Sequence, residues 1–467
     1  MSNEEKMNEE VYDVIVLGGG AGGVAAAIRA SQLGGHVAMI ECNNLGGFCM
    51  NRGCIPFGHM MLASHILGSL TLGSEMGLSF TGIIKDYGVL IKRQNELIDF
   101  MRLGVRSTLS KKKVELIEGR GKIGGSGRLE VNGKTLSYKS IILATGSKWV
   151  TPEFAGADLE EVTNSDHLLN GDKLPQRVLL YGRSPWNIEI AQFLHRFGSR
   201  VILATPDKAI LSDESKTIRS RLTKVLKEEG IDIRTKTEIL SAIKEKDGLH
   251  VELSSKDGSQ TVVVDKVIHT ERAASLKGLG LETINLNEEG PCLEVDERME
   301  THVKGVYAIG DITGAQSKHY SHLSSEGGVI AAENAMGQGA VLNPRTSTRI
   351  LFTQPQVACV GFTPKEAKDE GYDVIVGAAP YSMNPFGMIL SESEGIVEVV
   401  AEKKYGELLG VHMIGRAASE MAGQAVLALQ MEGTLEQLSK ASFPHPTLSE
   451  SLAEAARDAL GKPIYLP

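Results

Sequence analysis

Two cysteines stand five residues apart in the glycine-rich segment 46–56, which reads GGFCMNRGCIP. Cys49 and Cys54 could form a redox-active disulfide, or they could be two buried thiols. In a regular α-helix, Cα atoms five residues apart lie about 8.6 Å from each other, beyond the roughly 4.4 to 6.8 Å that a disulfide accepts. We therefore expect the backbone here to depart from regular helix, with freedom from Gly53 and with Pro56 in the first turn of a following helix.

A histidine near the C-terminus could supply a base for such thiols. His445 stands between Pro444 and Pro446, five residues before Glu450. A histidine that a carboxylate orients is the usual general base near neutral pH. A loop histidine beside a glutamate is otherwise more often a surface pair, and the sequence alone leaves both interpretations open.

A nucleotide motif precedes the cysteines. Gly18, Gly20 and Gly23 form a GxGxxG pattern between a short apolar strand and a helical pattern. The first glycine turns the chain, the second lets the backbone approach a pyrophosphate, and the third lets helix pack on strand. A second strand, 36–40, leads to Glu41, whose carboxylate can accept a hydrogen bond from a ribose hydroxyl. The pattern predicts a dinucleotide-binding unit.

A second β-α-β pattern covers residues 178–204, but its glycine motif is degraded. Only Gly182 remains, with Ser184 and Asn187 where the other two glycines are expected. A side chain at Ser184 would stand where a pyrophosphate approaches the backbone. The second strand ends at Thr205 with neither an acidic residue for a ribose nor an arginine for a 2′-phosphate. The pattern favours the fold and leaves a nicotinamide site open.

Other segments complete an α/β chain with several domains. An apolar strand ends in the small-residue turn Ala144, Thr145 and Gly146, where we expect the chain to leave a domain. Another strand ends at Asp311, whose carboxylate could hold a ribityl or ribose hydroxyl or could be a simple turn residue. Strands and helices alternate in an α+β unit towards the C-terminus.

The composition excludes several classes of protein. The 467 residues carry a formal charge of -9 with scattered Lys and Arg, which argues against a nucleic-acid partner. No apolar run reaches the length of a membrane span. Residues 1–10 are acidic and polar, unlike a targeting peptide, and predict a disordered tail. Five cysteines are no secreted disulfide framework, so we predict a cytoplasmic protein, and the lack of a second Cys/His cluster disfavours a metal site.

Taken together, these motifs resemble the flavoprotein disulfide reductases, also called class I pyridine nucleotide-disulfide oxidoreductases, with the dihydrolipoamide dehydrogenases as the most similar branch. The resemblance covers almost the whole chain from Tyr12. It implies two Rossmann-like dinucleotide-binding domains and a C-terminal α+β dimerisation domain. The implied segments are a disordered tail (1–10), an FAD-binding domain (11–150 and 273–345), an NAD(P)-type domain with a degraded motif (151–272) and the dimerisation domain (346–467).

The resemblance also implies roles for individual residues. Electrons would move between a lipoyl-type dithiol and FAD through a Cys49–Cys54 disulfide, in which Cys49 exchanges with substrate and Cys54 lies against the flavin. In a homodimer, the pair His445 and Glu450 would face the disulfide of the other subunit. The residues implied to bind FAD are Gly18, Gly20, Gly23, Glu41, Gly47, Ala144, Thr145, Gly146 and Asp311.

The sequence departs from the family on the nicotinamide side. The lysine expected beside the flavin is replaced by Gly58, although its expected partner, Glu189, is present. An uncompensated carboxylate there should disfavour the anionic reduced flavin. The segment 269–275 also replaces a glycine by a charged residue. NAD(P) therefore stays open as second partner, with two alternatives: an NAD(P)-independent reductase served by a redox protein such as ferredoxin, and a non-catalytic flavoprotein subunit.

Overall fold

The computed structural model describes residues 11–171, 173–256, 258–316, 319–343 and 346–467. The predicted tail 1–10 and the predicted boundary at 345 lie outside the described residues. The chain packs into two compact units. Unit 1 consists of Met1–Phe57, Val89–Val150 and Arg272–Leu342, and unit 2 consists of Gly58–Gly88, Thr151–Glu271 and Asn343–Pro467. The finer domain boundaries stay predictions.

The elements alternate as α/β patterns predict. The strands are β1 (Val11–Leu17), β2 (Val37–Glu41), β3 (Glu115–Glu118), β4 (Lys122–Gly125), β5 (Arg128–Val131), β6 (Lys134–Leu143), β7 (Ser147–Trp149), β8 (Val162–Asn164), β9 (Arg177–Tyr181), β10 (Arg200–Thr205), β11 (Asp232–Thr235), β12 (Glu238–Glu245), β13 (Gly248–Ser255), β14 (Gly258–Val264), β15 (Lys266–His269), β16 (Arg272–Ala274), β17 (Val306–Ala308), β18 (Thr348–Leu351), β19 (Gln356–Gly361), β20 (Val374–Pro380), β21 (Ile396–Glu402) and β22 (Leu408–Gly415). The helices are α1 (Ala21–Gln32), α2 (Gly47–Arg52), α3 (Cys54–Glu75), α4 (Tyr87–Lys111), α5 (Trp186–Phe197), α6 (Lys216–Glu229), α7 (Ser321–Ala335), α8 (Pro364–Asp369), α9 (Pro385–Ile389), α10 (Ala418–Gln430), α11 (Leu435–Lys440) and α12 (Glu450–Ala459).

Unit 1 is built on a seven-stranded sheet with the order β3-β2-β1-β6-β5-β4 and β17 beside β6. Strand β1 is parallel to both β2 and β6, and β17 is parallel to β6. Such strands are covered on both faces, so Val14, Ile15 and Val16 are completely buried. The carboxyl ends of these strands meet at one edge, which is where ligands bind in open α/β sheets.

Helices α1 and α7 pack closely on this sheet. A Cβ atom at Gly22 would lie 2.7 Å from the carbonyl oxygen of Ser324, so only glycine fits at this crossing. The close approach brings the first turns of the two helices towards the same sheet edge, beside the glycine loop.

Unit 2 contains a parallel sheet with the order β11-β10-β9-β15-β8, a three-stranded antiparallel sheet with the order β12-β13-β14, and an antiparallel sheet with the order β18-β19-β22-β21-β20. Helices α10 and α12 pack on the last sheet. The predicted second Rossmann-like fold and the C-terminal α+β fold are thus both present. Among the described residues, no helix is long and apolar enough to cross a membrane.

Candidate active site

The two cysteines lie at a break between helices in unit 1. Helix α2 ends at Arg52 and α3 begins at Cys54, with Gly53 between them at φ -125° and ψ -112°. A Cβ atom at Gly53 would lie 2.8 Å from the ring of Phe48, so a glycine is needed at the break. The predicted departure from regular helix is confirmed, and Pro56 falls in the first turn of α3. Both cysteines are free thiols, the reduced form of the pair.

The surroundings of Cys49 stabilise a thiolate. The thiol of Cys54 donates to the Cys49 sulfur, which lowers the pKa of Cys49 to about 7 although burial opposes the shift. The hydroxyl of Ser321 and the backbone N–H of Cys54 donate to the same sulfur. The hydrogen bond to Cys49 and burial raise the pKa of Cys54. Cys49 therefore loses its proton first, as an attacking thiol requires.

Ser321 was not predicted from the sequence. Its hydroxyl lies 3.3 Å from the sulfur of Cys54, 267 residues away in the chain. It begins helix α7, which carries no acidic residue in its first turn, and the partial positive charge of a helix N-terminus favours a nearby thiolate. A serine at the start of a helix of small residues gives no signal of such a role.

A buried ion pair lies beside the cysteines. The guanidinium of Arg272 stacks 3.9 Å from the ring centroid of Phe48 and donates to Oδ2 of Asp311 at 2.8 Å. The hydroxyl of Ser147 donates to the same oxygen at 2.6 Å. Burial alone would raise the pKa of Asp311, but the hydrogen bond from His319 and the charge of Arg272 lower it to about 2. Asp311 is therefore ionised at neutral pH, and the sequence did not single out Arg272 as its partner.

The glycine loop before α1 has room for a side chain at Gly20 but not at Gly18 or Gly23. A Cβ atom at Gly18 would overlap the carbonyl of Ala144, and one at Gly23 would overlap the carbonyl of Gly18. At Gly20, the N-cap of α1, a Cβ would meet the Cα of Gly47 at 3.8 Å and nothing nearer among the described residues, and none of their side chains caps the helix. Backbone amides at a helix N-terminus without a side-chain cap fit a pyrophosphate. The loop therefore fits FAD.

The remaining predicted cofactor residues of unit 1 lie along the same sheet edge. Glu41 is buried, and its carboxylate accepts from the amides of Gly19 and Asn43, both at 2.6 Å. The turn 144–146 follows β6, and the hydroxyl of Thr145 donates to the carbonyl of Ser275 at 3.0 Å. Gly146 has φ +69°, and in the part of the chain that the structure describes, no atom lies within 4 Å of the position of a Cβ. The assignment of these residues to FAD stays a prediction.

The predicted His–Glu pair is present in unit 2. Nδ1 of His445 lies 3.0 Å from Oε1 of Glu450, whose other oxygen accepts from the amide of Thr447 at 2.9 Å. The carboxylate is 25% exposed and the histidine side chain 66% exposed. An Nδ1–H bond to the carboxylate leaves Nε2 as the proton acceptor, so the pair has the geometry of an oriented general base.

Gly58 stands where the family has a lysine, and Glu189 is the expected partner of that lysine. Among the described residues, no atom lies within 4 Å of the position that a Cβ at Gly58 would take, so the position has room for a side chain. Glu189 is buried, and its Oε1 accepts from the amide of Phe352 at 2.8 Å. This carboxylate is therefore partly compensated by the backbone, and its predicted place near the flavin stays a prediction.

The degraded second glycine motif forms a tight turn between β9 and α5. Gly182 has φ +129°, and the carboxylate of Glu271 accepts from the amides of Arg183 at 2.7 Å and Ser184 at 3.1 Å. The side chain of Arg183 lies 3.2 Å from Asp207. Asp207 lies two residues beyond the end of β10, so the pattern of the strand end did not predict it.

Comparison with known proteins covers nearly the whole chain. A family profile described as pyridine nucleotide-disulphide oxidoreductase matches residues 12–339, and the dimerisation-domain profile of the same description matches residues 347–456. The chain is 37% identical to a dihydrolipoyl dehydrogenase of Thermus scotoductus, over 97% of this chain and 98% of that protein. It is 32% identical to a dihydrolipoyl dehydrogenase of Bacillus subtilis, over 97% of this chain and 99% of that protein. The crystal structure of LpdA from Mycobacterium tuberculosis has the same fold, with a TM-score of 0.86 at 23% identity over 95% of this chain and 98% of that one.

Proposed function

The chain belongs to the pyridine nucleotide-disulphide oxidoreductase family, and on that premise we propose that it oxidises a lipoyl-type dithiol, small or protein-bound, or reduces the corresponding disulfide, through Cys49 and Cys54. It is an FAD-dependent disulfide oxidoreductase. The names of the similar dihydrolipoyl dehydrogenases support the substrate class. The observation that carries the proposal is the helix break at Gly53, which leaves the sulfurs of Cys49 and Cys54 in hydrogen-bond contact and so allows a disulfide between them.

Residues of unit 1 would hold FAD. We assign the pyrophosphate to the open backbone at Gly20, a ribose to Glu41, and the ribityl chain to the neighbourhood of Asp311, whose carboxylate is ionised. FAD, when bound, supplies the acceptor for an electron pair. The protein supplies the position of the sulfurs and the charges around them.

The thiol chemistry follows from the residues of the chain. Nε2 of His445 takes a proton from the substrate dithiol, and Glu450 stabilises the imidazolium that forms. The substrate thiolate attacks the sulfur of Cys49, which breaks the disulfide and leaves its electron pair on the sulfur of Cys54. The second substrate thiol then gives its proton to the Cys54 thiolate, whose pKa is raised, attacks the substrate sulfur of the mixed disulfide and releases Cys49 as a thiolate. The substrate leaves as a disulfide, and the protein holds the two electrons as the Cys54 thiol and the Cys49 thiolate.

The dimerisation-domain match at residues 347–456 supports a homodimer. We propose that His445 of one subunit serves the cysteines of the other, as the family resemblance implies. The reactive dithiol favours a reducing compartment, so a cytoplasmic location stays our prediction.

Anaerobic rapid mixing of the oxidised, FAD-loaded dimer with dihydrolipoamide tests the proposal. We expect a rapid change of flavin absorbance that Cys49→Ser abolishes. His445→Gln should slow it by a factor of about 10² to 10⁴, the usual contribution of a general base. A matched control is His250→Gln, because His250 also pairs with a carboxylate, Asp247 at 2.8 Å, but lies on strand β13; we expect it to react like the unmodified protein.

An absence of absorbance change with dihydrolipoamide and with other dithiols would overturn the proposal and favour the non-catalytic alternative. Reaction with dithiols together with flavin reduction by a redox protein such as ferredoxin, and none by NADH or NADPH, would instead favour the NAD(P)-independent reductase. Equal slowing by His250→Gln and His445→Gln would remove His445 from the mechanism.

A further inference from the structure

The crevice of the second Rossmann-like fold is occupied by a residue of the chain itself. In such folds, a dinucleotide lies at the carboxyl ends of the strands where the strand order reverses, with its pyrophosphate on the backbone amides before the helix. In unit 2, the order β11-β10-β9-β15-β8 reverses between β9 and β15. Glu271 follows β15 by two residues and therefore stands at this position.

The carboxylate of Glu271 takes the amides that a pyrophosphate needs. One oxygen accepts from Arg183 at 2.7 Å and from Ser184 at 3.1 Å, both between the turn glycine and helix α5. The same oxygen lies 2.5 Å from the position of a Cβ on Gly182. We propose that Glu271 is an internal competitor of nicotinamide dinucleotides, which bind to this domain only when its carboxylate leaves the turn.

Neighbouring contacts hold Glu271 in place. The hydroxyl of Thr270 donates to Oδ1 of Asn187 at 2.9 Å, and Nδ2 of Asn187 donates to the carbonyl of Tyr181 at 3.2 Å. Thr270 and Asn187 are 3% and 1% exposed, so the residue before Glu271 is tied to both β9 and α5. Asn187, which stands where the motif would have its third glycine, thus anchors the segment that carries the carboxylate.

The first glycine loop, before α1, differs from the second in the side from which a carboxylate reaches it. There, Glu41 reaches the loop from the end of β2, on the other side of β1, and accepts from the amide of Gly19. The first turn of α1 contains no acidic residue, and a pyrophosphate can bind at Gly20. In the second loop, the carboxylate comes from the crevice side and accepts from both amides that follow the turn glycine. A pyrophosphate would compete for the same donors and would be repelled by the carboxylate's negative charge.

Binding of ADP-ribose to the FAD-loaded protein tests the competition. This probe carries the adenosine and pyrophosphate but no nicotinamide, so its affinity reports on the backbone amides that Glu271 occupies. We expect Glu271→Gly to bind ADP-ribose at least about tenfold more tightly than the unmodified protein, because an internal competitor reduces apparent affinity by the fraction of open sites. Glu271→Gln should fall between the two, since a carboxamide keeps an acceptor oxygen but loses the charge.

An exposed glutamate of unit 2 provides the control: Glu153→Gln should bind ADP-ribose like the unmodified protein. FAD content and thermal unfolding show whether each variant is folded, and Glu271→Gln carries the test if Glu271→Gly is not. Equal affinity of the unmodified protein and both Glu271 variants, or tighter binding by the unmodified protein, would overturn the inference.

The inference rests on the proposed function for the role of this domain, but its readout is separate. Flavin reduction by dihydrolipoamide is measured on the same samples. If the unmodified protein does not react with dihydrolipoamide but the Glu271 variants bind ADP-ribose more tightly than it does, only the proposed function is contradicted. Retention of the reaction without any gain in affinity would contradict the role of Glu271 alone.

Discussion

Replacement of Cys54 should remove the first of three hydrogen bonds that acidify Cys49. The thiol of Cys54 is the largest cause of the low pKa of Cys49, which is lowered from 9.0 to about 7. At pH 7 a thiol of pKa about 7 is about half thiolate, whereas one of pKa about 9 is about one hundredth thiolate. The intrinsic reactivity of a thiolate falls with its pKa, by about tenfold over two pKa units. The roughly fifty-fold gain in thiolate at Cys49 therefore becomes a rate gain of about fivefold at pH 7.

This effect is measured by iodoacetamide labelling of the reduced protein from about pH 5 to about pH 10. Mass spectrometry follows the labelling of each cysteine peptide separately. We expect a midpoint for Cys49 near 7. Cys54→Ala should move the midpoint upwards, to about 8 or higher, and should slow labelling at neutral pH by up to about fivefold. Exposed Cys42 serves as the internal reference for the reagent.

Two serine substitutions on helix α7 distinguish the loss of a hydrogen bond to Cys49 from the loss of a hydroxyl elsewhere on the helix. Ser321→Ala removes a donor to Cys49 and should also raise the midpoint. Ser325→Ala removes a hydroxyl whose contact is the carbonyl of residue 321, and the midpoint should not change. The reasoning is refuted if Cys49 of the unmodified protein titrates near the ordinary value of a thiol, or if Cys54→Ala leaves the midpoint unchanged.

Three further predictions test the folded structure. Asp311→Asn should reduce the free energy of unfolding by about 2 kcal/mol at pH 7, because the folded pKa of about 2 lies below the ordinary 3.8. This stabilisation is complete above the unfolded pKa and is lost as pH falls through the folded one, so the difference should shrink between about pH 4 and about pH 2; a difference independent of pH in urea titrations would contradict it. Gly23→Ala should impair folding because its Cβ overlaps the carbonyl of residue 18, whereas Gly20→Ala should fold but purify with less FAD. A Gly23→Ala protein that is as thermally stable as the unmodified protein, or a Gly20→Ala protein with full flavin content, would be inconsistent with the loop geometry. Arg349→Met should lower the free energy of unfolding, measured in urea, by about 3 kcal/mol or more, because Glu214 loses both of its hydrogen bonds from a buried guanidinium, at 2.5 and 3.0 Å. Adding Glu214→Leu should recover part of this loss. A loss below about 1 kcal/mol would contradict a strong ion pair.

Local features of the site could be predicted because they depend on neighbours in the sequence. The glycine loop before α1 and the break between Cys49 and Cys54 follow from the backbone freedom of glycine at fixed spacing. The pair of His445 and Glu450 forms across one turn at a helix start, and its 3.0 Å contact needs no distant element.

The sequence by itself therefore determined the βαβ units, the break in the helix between Cys49 and Cys54 and the short spacing of His445 and Glu450, since each is encoded within a few consecutive residues. Only the tertiary structure decided what surrounds them. Ser321 reaches the thiols because α7 packs on α1, and Glu271 reaches the amides of Arg183 and Ser184, nearly 90 residues away, because β15 pairs with β9. Strand order and helix packing set these contacts, and both depend on the burial of whole apolar faces instead of on any local motif.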